Sequence, residues 1–168
     1  MNLAPLLDAP LAIQIHVATV LPAALIGPYM FWARKGTPTH RLVGRIWLGL
    51  MVVSALSSFF IHSIDLWMGF SPIHLISIYI LFGAWLAVKN ARAHRIAAHK
   101  RQVLGLYLGG IVGAGAFTLL PGRLMNAVVF TPAQAWPDAG RGMGLLAIMA
   151  AIVVLLYFGA RVSTAKRA

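Results

Sequence analysis

Five long apolar segments, separated by short connections, dominate this sequence. They run over about residues 11–33, 39–61, 72–88, 102–120 and 142–160. Each is close to the ~20 residues that an α-helix needs to cross a hydrocarbon core of ~30 Å. Because lipid offers no partner to backbone amides, each segment must form a helix. The sequence therefore predicts an all-α, polytopic membrane helix bundle with five transmembrane helices, forming a single domain over residues 1–168.

The composition agrees with this class of protein. Apolar residues make up 60% of the chain and charged residues only 10%, whereas a soluble domain has about 45–50% and 25%. Cysteine is absent, which excludes disulfides, thiolate metal sites and cysteine catalysis. The first ten residues carry Asp8 and no basic region, so the first span is expected to act as an uncleaved insertion signal.

Basic residues indicate the orientation in the membrane. In a five-span arrangement one side receives twelve of the fourteen basic residues: Arg34, Lys35, Arg41, Arg45, Lys89, Arg92, Arg95, Lys100, Arg101, Arg161, Lys166 and Arg167. The other side receives Arg123, Arg141 and all three acids, Asp8, Asp65 and Asp138. The positive-inside rule places the N-terminus outside and the C-terminus in the cytoplasm. The net charge of +11 thus reflects topology and contact with anionic lipid, and not nucleic-acid binding.

Local signals mark the ends of the predicted spans. Thr39 is a candidate N-cap for the second span, after the breaker sequence Gly36-Thr37-Pro38. Tryptophan favours the membrane–water interface because its ring is apolar and its N–H group is polar. We therefore expect Trp32 and Trp47 at the inner interface, and Trp67 and Trp136 at the outer one.

Histidines occur at matched depths on different predicted spans. His16 and His74 lie near the outer ends of the first and third spans, and His62 lies at the same level. His40 and His99 lie at the inner ends of the second and fourth spans. An ionisable residue within a span is costly and indicates a functional site. His94 falls in the basic inner loop, where we expect it to be solvated.

Two imidazoles at one depth can ligate a haem iron axially. The pairs His16–His74 and His40–His99 would hold b-type haems at opposite faces and carry electrons across the membrane. Arg123 outside, and Arg41, Arg45 or Arg101 inside, would neutralise the propionates. This interpretation predicts an electron-transfer or quinone-linked membrane protein.

Other interpretations remain open at this point. His16, His62 and His74 with Asp65 would suit a divalent metal such as zinc or copper, in a metal-binding or transport protein. Histidines near an interface can also be purely structural, which leaves a non-enzymatic accessory subunit of a larger membrane complex. The sequence has no convincing Ser-His-acid set and no glycine-rich phosphate loop, so no catalytic residue is assigned.

Small residues recur at four-residue spacing on two predicted spans. Gly105, Gly109 and Gly113 form such a stripe on the fourth span, and Ser54 and Ser58 lie at the same spacing on the second. Stripes of this kind let helix backbones approach closely. They predict that spans two and four meet along these residues, or that the glycines make room for a flat cofactor.

Several motifs resemble an uncharacterised bacterial multi-pass inner-membrane family, domain of unknown function 2306. They are Thr39-His40-Arg41-Leu42-Val43-Gly44-Arg45-Ile46-Trp47, Ser57-Ser58-Phe59-Phe60-Ile61-His62, Phe70-Ser71-Pro72-Ile73-His74-Leu75 and Leu120-Pro121-Gly122-Arg123-Leu124-Met125, together with His99. The resemblance covers about residues 12–130 and leaves the fifth span outside. Family members often carry a histidine after the Pro-Gly-Arg motif, where this chain has Asn126. The resemblance implies a location in the bacterial inner membrane but no reaction.

The charge distribution yields a direct test of topology. A reporter active only in the periplasm, fused near Gln134, should give a signal because that connection belongs to the side that carries the acids. The same reporter fused near Ala93 should remain silent. The reverse pattern of activities would overturn the predicted orientation.

Overall fold

The computed structural model describes residues 3–61 and 72–130, which contain helices and no strand. The α-helices are α1 (Ala4–Leu7), α2 (Leu11–Trp32), α3 (Pro38–Ser58), α4 (Pro72–Arg92), α5 (Ile96–Leu106), α6 (Ala114–Thr118) and α7 (Leu124–Val129), with a π-helical segment, Tyr107–Gly113, between α5 and α6. The chain divides into two compact units, of which one is Ala9–Ile111 and the other combines Met1–Asp8 with Val112–Ala168.

Three helices are long and apolar enough to cross a membrane: Leu11–Trp32, Pro38–Ser58 and His74–Arg92. They confirm that the first three predicted segments form helices long and apolar enough to span a membrane. The fourth predicted span corresponds to α5, the π-helical segment and α6, and its helix begins at Ile96, ahead of the expected start. The fifth predicted span lies outside the described residues. A count of five spans and the orientation of the termini stay predictions.

Within the unit Ala9–Ile111, α2 and α3 pack side by side in opposite directions. His16, near the start of α2, contacts Ser54, near the end of α3. Further along, Trp47 bonds to Ala23. The short connection after Trp32 accounts for this pairing, because helices joined by a few residues must return antiparallel. Thr37 caps α3 by accepting a hydrogen bond from the backbone N–H of His40 at 3.1 Å, so the cap is Thr37 and not the expected Thr39.

Helices α4 and α5 continue the alternation. Helix α4 packs on α3, and α5 packs on α4. His99, in the first turn of α5, bonds to the carbonyl of Ala87 near the end of α4, while Leu106, the last residue of α5, approaches Gly83 in the middle of α4. The core between these helices consists of Ala23, Trp47, Met51, Ala55, Ile80, Ala87, Leu106 and Ile111.

Two aromatic side chains bond to consecutive carbonyls of α2. Trp47 Nε1 donates to the oxygen of Ala23 at 2.9 Å, and Tyr107 Oη donates to the oxygen of Ala24 at 3.1 Å. Proline at position 28 lacks the N–H group that would otherwise bond to the Ala24 carbonyl in a regular helix. The hydroxyl of Tyr107 therefore satisfies an acceptor that the helix itself leaves open.

Trp47 is only 3% exposed, so the expectation that it lies at the interface is wrong. Its N–H group donates to a carbonyl in the core and not to water.

The glycine stripe packs differently from the prediction. A Cβ on Gly105 or Gly109 would lie nearest to the side chain of Tyr79 on α4, whereas one on Gly110 would meet Ile80 and Met51. The serines of α3 contact other partners, which are described below. The expected seam of Ser54 and Ser58 against Gly109 is therefore wrong, because Tyr79 of α4 is the neighbour of Gly109.

The second compact unit combines Met1–Asp8 with the residues after Ile111. In it, α1 packs on α7, and α6 contacts α7. Gly122, at φ +79°, makes the turn before α7, a conformation that residues with a Cβ rarely adopt. Asn126 Nδ2 donates to the carbonyl of Leu119 at 2.8 Å, which ties α7 to the end of the preceding segment.

Close packing at Gly27 generates a stability prediction. A Cβ at this position would lie 2.3 and 2.4 Å from two ring atoms of Tyr107, whose ring is held by its hydrogen bond to Ala24. Overpacking a core costs ~1–3 kcal/mol. We expect Gly27→Ala to lower the midpoint of thermal unfolding in detergent.

The matched control is Gly49→Ala, since a Cβ on Gly49 meets nothing within 4 Å. Alanine exceeds glycine in helix propensity by up to ~1 kcal/mol, so this variant should be as stable as the wild type or more so. Equal midpoints for the two variants would contradict the packing described for Tyr107.

Candidate functional site

His16 is fixed by oxygen atoms of α3. Its Nδ1 lies 2.8 Å from the carbonyl oxygen of Ser54, 3.2 Å from Ser54 Oγ and 3.4 Å from Ser57 Oγ. A carbonyl oxygen can only accept, so Nδ1 carries the proton and donates it. In the neutral imidazole the lone pair then lies on Nε2, which is the arrangement of a histidine ready to bind a metal or haem iron.

Buried serines surround this end of the helices. Ser54, Ser57, Ser58 and Ser77 are all buried. Ser57 Oγ donates to the carbonyl of Ser54 at 2.9 Å, Ser58 Oγ donates to that of Ala55 at 2.7 Å, and the hydroxyls of Ser58 and Ser77 are hydrogen-bonded across α3 and α4. The result is a polar cluster inside an apolar protein, and each of these α3 hydroxyls has a partner.

His74 lies at the same end, near the start of α4. Its side chain is 3% exposed and stacks on Phe59, with ring centroids 5.7 Å apart and an angle of 27° between the planes. An imidazole that only reached toward interfacial water would be exposed. His74 is instead packed among protein atoms beside α3.

The opposite end of the same helices carries His40 and His99. His99 Nδ1 donates to the carbonyl of Ala87 at 2.9 Å, so its lone pair also lies on Nε2. His40 lies within electrostatic range of His99 and Lys35. Its Nδ1 is buried and has no hydrogen-bond partner in the described part of the chain. A buried imidazole nitrogen without a partner is costly, and a ligand would satisfy it.

The two histidine levels are separated along α3. Fourteen residues separate His40 from Ser54, the residue that holds His16. At a rise of ~1.5 Å per residue this corresponds to ~21 Å, most of the thickness of a hydrocarbon core of ~30 Å. The paired histidines thus lie toward opposite ends of the membrane-spanning helices.

The predicted arginines have varied surroundings. Arg123, at the N-terminal boundary of α7, places its guanidinium 4.4 Å from the ring centroid of Phe117, in the unit that does not contain the histidines. Arg41, Arg45 and Arg101 are exposed near the His40 end.

A divalent metal site was the second interpretation of the outer histidines. Of its four residues, His16 and His74 are described, whereas His62 and Asp65 lie outside the described residues. Residues 3–61 and 72–130 contain no group of three or more His, Cys, Asp or Glu side chains that would hold a metal ion. Among the described residues, the candidate ligand-binding groups are therefore the pairs His16–His74 and His40–His99.

The serine cluster was the main feature that sequence reasoning missed. Ser54 and Ser58 attracted notice as small residues for packing, but Ser57 and Ser77 did not. Their signal was nevertheless present, since Ser54, Ser57 and Ser58 occur at i, i+3 and i+4 on an apolar helix, a spacing that places polar groups on one face.

The hydrogen bonds of His16 and His99 generate a prediction about protonation. In the neutral side chains, the proton should reside on Nδ1, because a carbonyl oxygen faces that atom. Nitrogen-15 NMR of the histidine-labelled protein should show this tautomer for both residues, with assignments from His16→Gln and His99→Gln. The exposed His94 serves as the reference for a solvated ring. Protonation of Nε2 in both residues would contradict the geometry.

A family model described as predicted membrane protein, DUF2306, matches residues 13–161. The match extends past residue 130 and includes the fifth predicted span, so the expectation that this span falls outside the resemblance is wrong. Neither the curated proteins nor the solved structures contain a match. Since the family model covers most of the chain, this protein belongs to the DUF2306 family of predicted membrane proteins.

Proposed function

We propose that this membrane protein binds two b-type haems through the pairs His16–His74 and His40–His99 and transfers electrons between the two faces of the membrane. One observation carries the proposal. At each end of the helices, one histidine donates Nδ1–H to the carbonyl of a neighbouring helix, which directs the lone pair of Nε2 away from the backbone. Hydrogen bonds of this kind orient histidine ligands and increase their basicity.

The placement of the partners supports the same assignment. His16 and His74 are on α2 and α4, whereas His40 and His99 are on α3 and α5. Helices α2, α3, α4 and α5 pack in sequence order, each on the next, so each pair comes from alternate helices that run in the same direction. On two such helices, the imidazoles of one pair would lie at a similar level and could together hold one haem.

The His40 end is the better supported of the two. The Nδ1 atom of His40 is buried and has no hydrogen-bond partner among the described residues. Donor chemistry fits as well, since neutral imidazole nitrogens are haem ligands. When bound, haem supplies a one-electron carrier, while the protein holds the imidazoles, excludes water and offers cations to the propionates. Exposed Arg41, Arg45 and Arg101 are suited to the latter role.

The proposal extends to location and partners. The excess of basic residues at the His40 end assigns that end to the cytoplasm of a bacterial cell by the positive-inside rule. An electron carrier in the inner membrane exchanges electrons with quinone or with other membrane subunits.

An absorption spectrum of the detergent-purified protein, produced in haem-replete cells, tests the function. The wild type should show a Soret band and the α-band of low-spin haem. His16→Ala and His74→Ala should each remove one component, and His40→Ala and His99→Ala should remove the other. His62→Ala should only perturb the spectrum.

His94→Asn is the matched control, because His94 is an exposed histidine that adopts φ 56°, a conformation that asparagine tolerates. Its spectrum should equal that of the wild type. Wild-type protein that contains no haem, while retaining its helical circular dichroism, would exclude the proposed function. Metal analysis of the same sample would show whether a divalent ion is bound instead.

A further inference from the structure

One face of α4 carries a continuous exposed stripe. Its members recur at alternating intervals of three and four residues, which keeps them on one side of a helix; they are Leu75, Ile78, Phe82, Trp85, Lys89 and Arg92. All six are exposed, and Phe82 and Trp85 retain 61% and 55% of their surface. The opposite side of α4 holds the buried residues Ser77, Ile80, Ala84 and Ala87.

The stripe changes character along its length. Its first four members are large and apolar, and the last two are cationic. Lys89 Nζ lies 4.7 Å from the centre of the Trp85 ring, and the ring of Phe82 lies 5.5 Å from that of Trp85. The cation–π contact holds the ammonium group at the end of the aromatic pair.

The dimensions match a single lipid molecule. Ten residues separate Leu75 from Trp85, which is ~15 Å of helix and equals half of a hydrocarbon core of ~30 Å. Lys89 lies about one helical turn further on, ~6 Å away at 1.5 Å per residue. A lipid phosphate bound at the cations would therefore allow one acyl chain to extend along the apolar members of the stripe.

The two cations have no acidic partner on the helices around them. No acidic residue occurs anywhere in α2, α3, α4 or α5, so Lys89 and Arg92 have no carboxylate partner within them. We propose that this stripe binds one anionic phospholipid, with its phosphate at Lys89 and Arg92, its glycerol region at Trp85 and its acyl chain along Phe82, Ile78 and Leu75. The site does not depend on haem binding, and its test leaves the proposed function untouched.

Native mass spectrometry of the full chain in detergent measures the binding. Wild-type protein should bind phosphatidylglycerol more tightly than phosphatidylcholine of the same acyl composition. Each cation near an anionic lipid contributes about fivefold to affinity, so the double variant Lys89→Gln/Arg92→Gln should weaken phosphatidylglycerol binding by about thirtyfold. Lys89→Arg keeps the charge and should bind as the wild type does.

The matched control is Arg95→Gln/Lys100→Gln, which removes the same charge from exposed positions at the beginning of α5, at the same end of the bundle. It should retain nearly wild-type affinity. Equal losses in the two double variants would overturn the proposal in favour of diffuse attraction to the basic surface. Circular dichroism of each variant verifies that the helices remain folded.

Fluorescence quenching tests the occupant of the apolar part. The contribution of Trp85 to the fluorescence is the part that disappears in the Trp85→Leu variant. Phosphatidylglycerol brominated on its acyl chains should quench this contribution. An unquenched Trp85 would mean that another protein segment or a second copy of the chain covers the stripe, which would overturn the lipid assignment. Phosphatidylcholine that binds as tightly as phosphatidylglycerol would overturn it as well.

Discussion

Hydrogen bonds from polar side chains to backbone carbonyl groups of neighbouring helices organise much of this bundle. Inside a bilayer no water is available to a buried N–H or O–H group, and leaving one without a partner costs several kcal/mol. Side-chain donors from neighbouring helices approach these oxygens at several levels. Trp47 and Tyr107 bond to α2, His16 bonds to α3, and His99 bonds to α4. Each hydrogen bond fixes one helix against the next, so the same interactions determine both packing and the orientation of the imidazoles.

The proposed ligands follow from this constraint. A histidine whose Nδ1 is committed to a carbonyl retains one lone pair, on Nε2, and one ring orientation. Two of the four paired histidines meet this condition. The third, His74, is oriented by stacking on Phe59, and the fourth, His40, has a buried Nδ1 without a partner among the described residues. Position in the bundle therefore separates these residues from His94, which is exposed in a connection.

Sequence reasoning predicted the helices well and their contacts poorly. Apolar runs of about 20 residues identify membrane spans because hydrocarbon thickness imposes that length directly. By contrast, the position of Trp47 was mispredicted because a tryptophan N–H can be satisfied by water at an interface or by a carbonyl in the core, and the sequence does not distinguish them. Gly109 was favoured over Gly110 because regular helical periodicity was assumed through a region that forms a π-helical segment. For His16 and His99, depth along the chain made the residues candidates, and their carbonyl partners became apparent only with the neighbouring helices in place.

The bond between Tyr107 and the Ala24 carbonyl also bears on how the protein is assembled. Residue 24 enters the membrane early in synthesis, and its acceptor is separated from the donor by 83 positions along the chain. Until the segment that carries Tyr107 is inserted, Pro28 leaves α2 with a carbonyl that no backbone N–H of its own helix can satisfy. The first helix to reach the bilayer is thus incomplete in its hydrogen bonding, and the helix that contributes Tyr107 completes it. A chain that ended before residue 107 would therefore keep an unsatisfied carbonyl inside the bilayer, where such a group costs several kcal/mol.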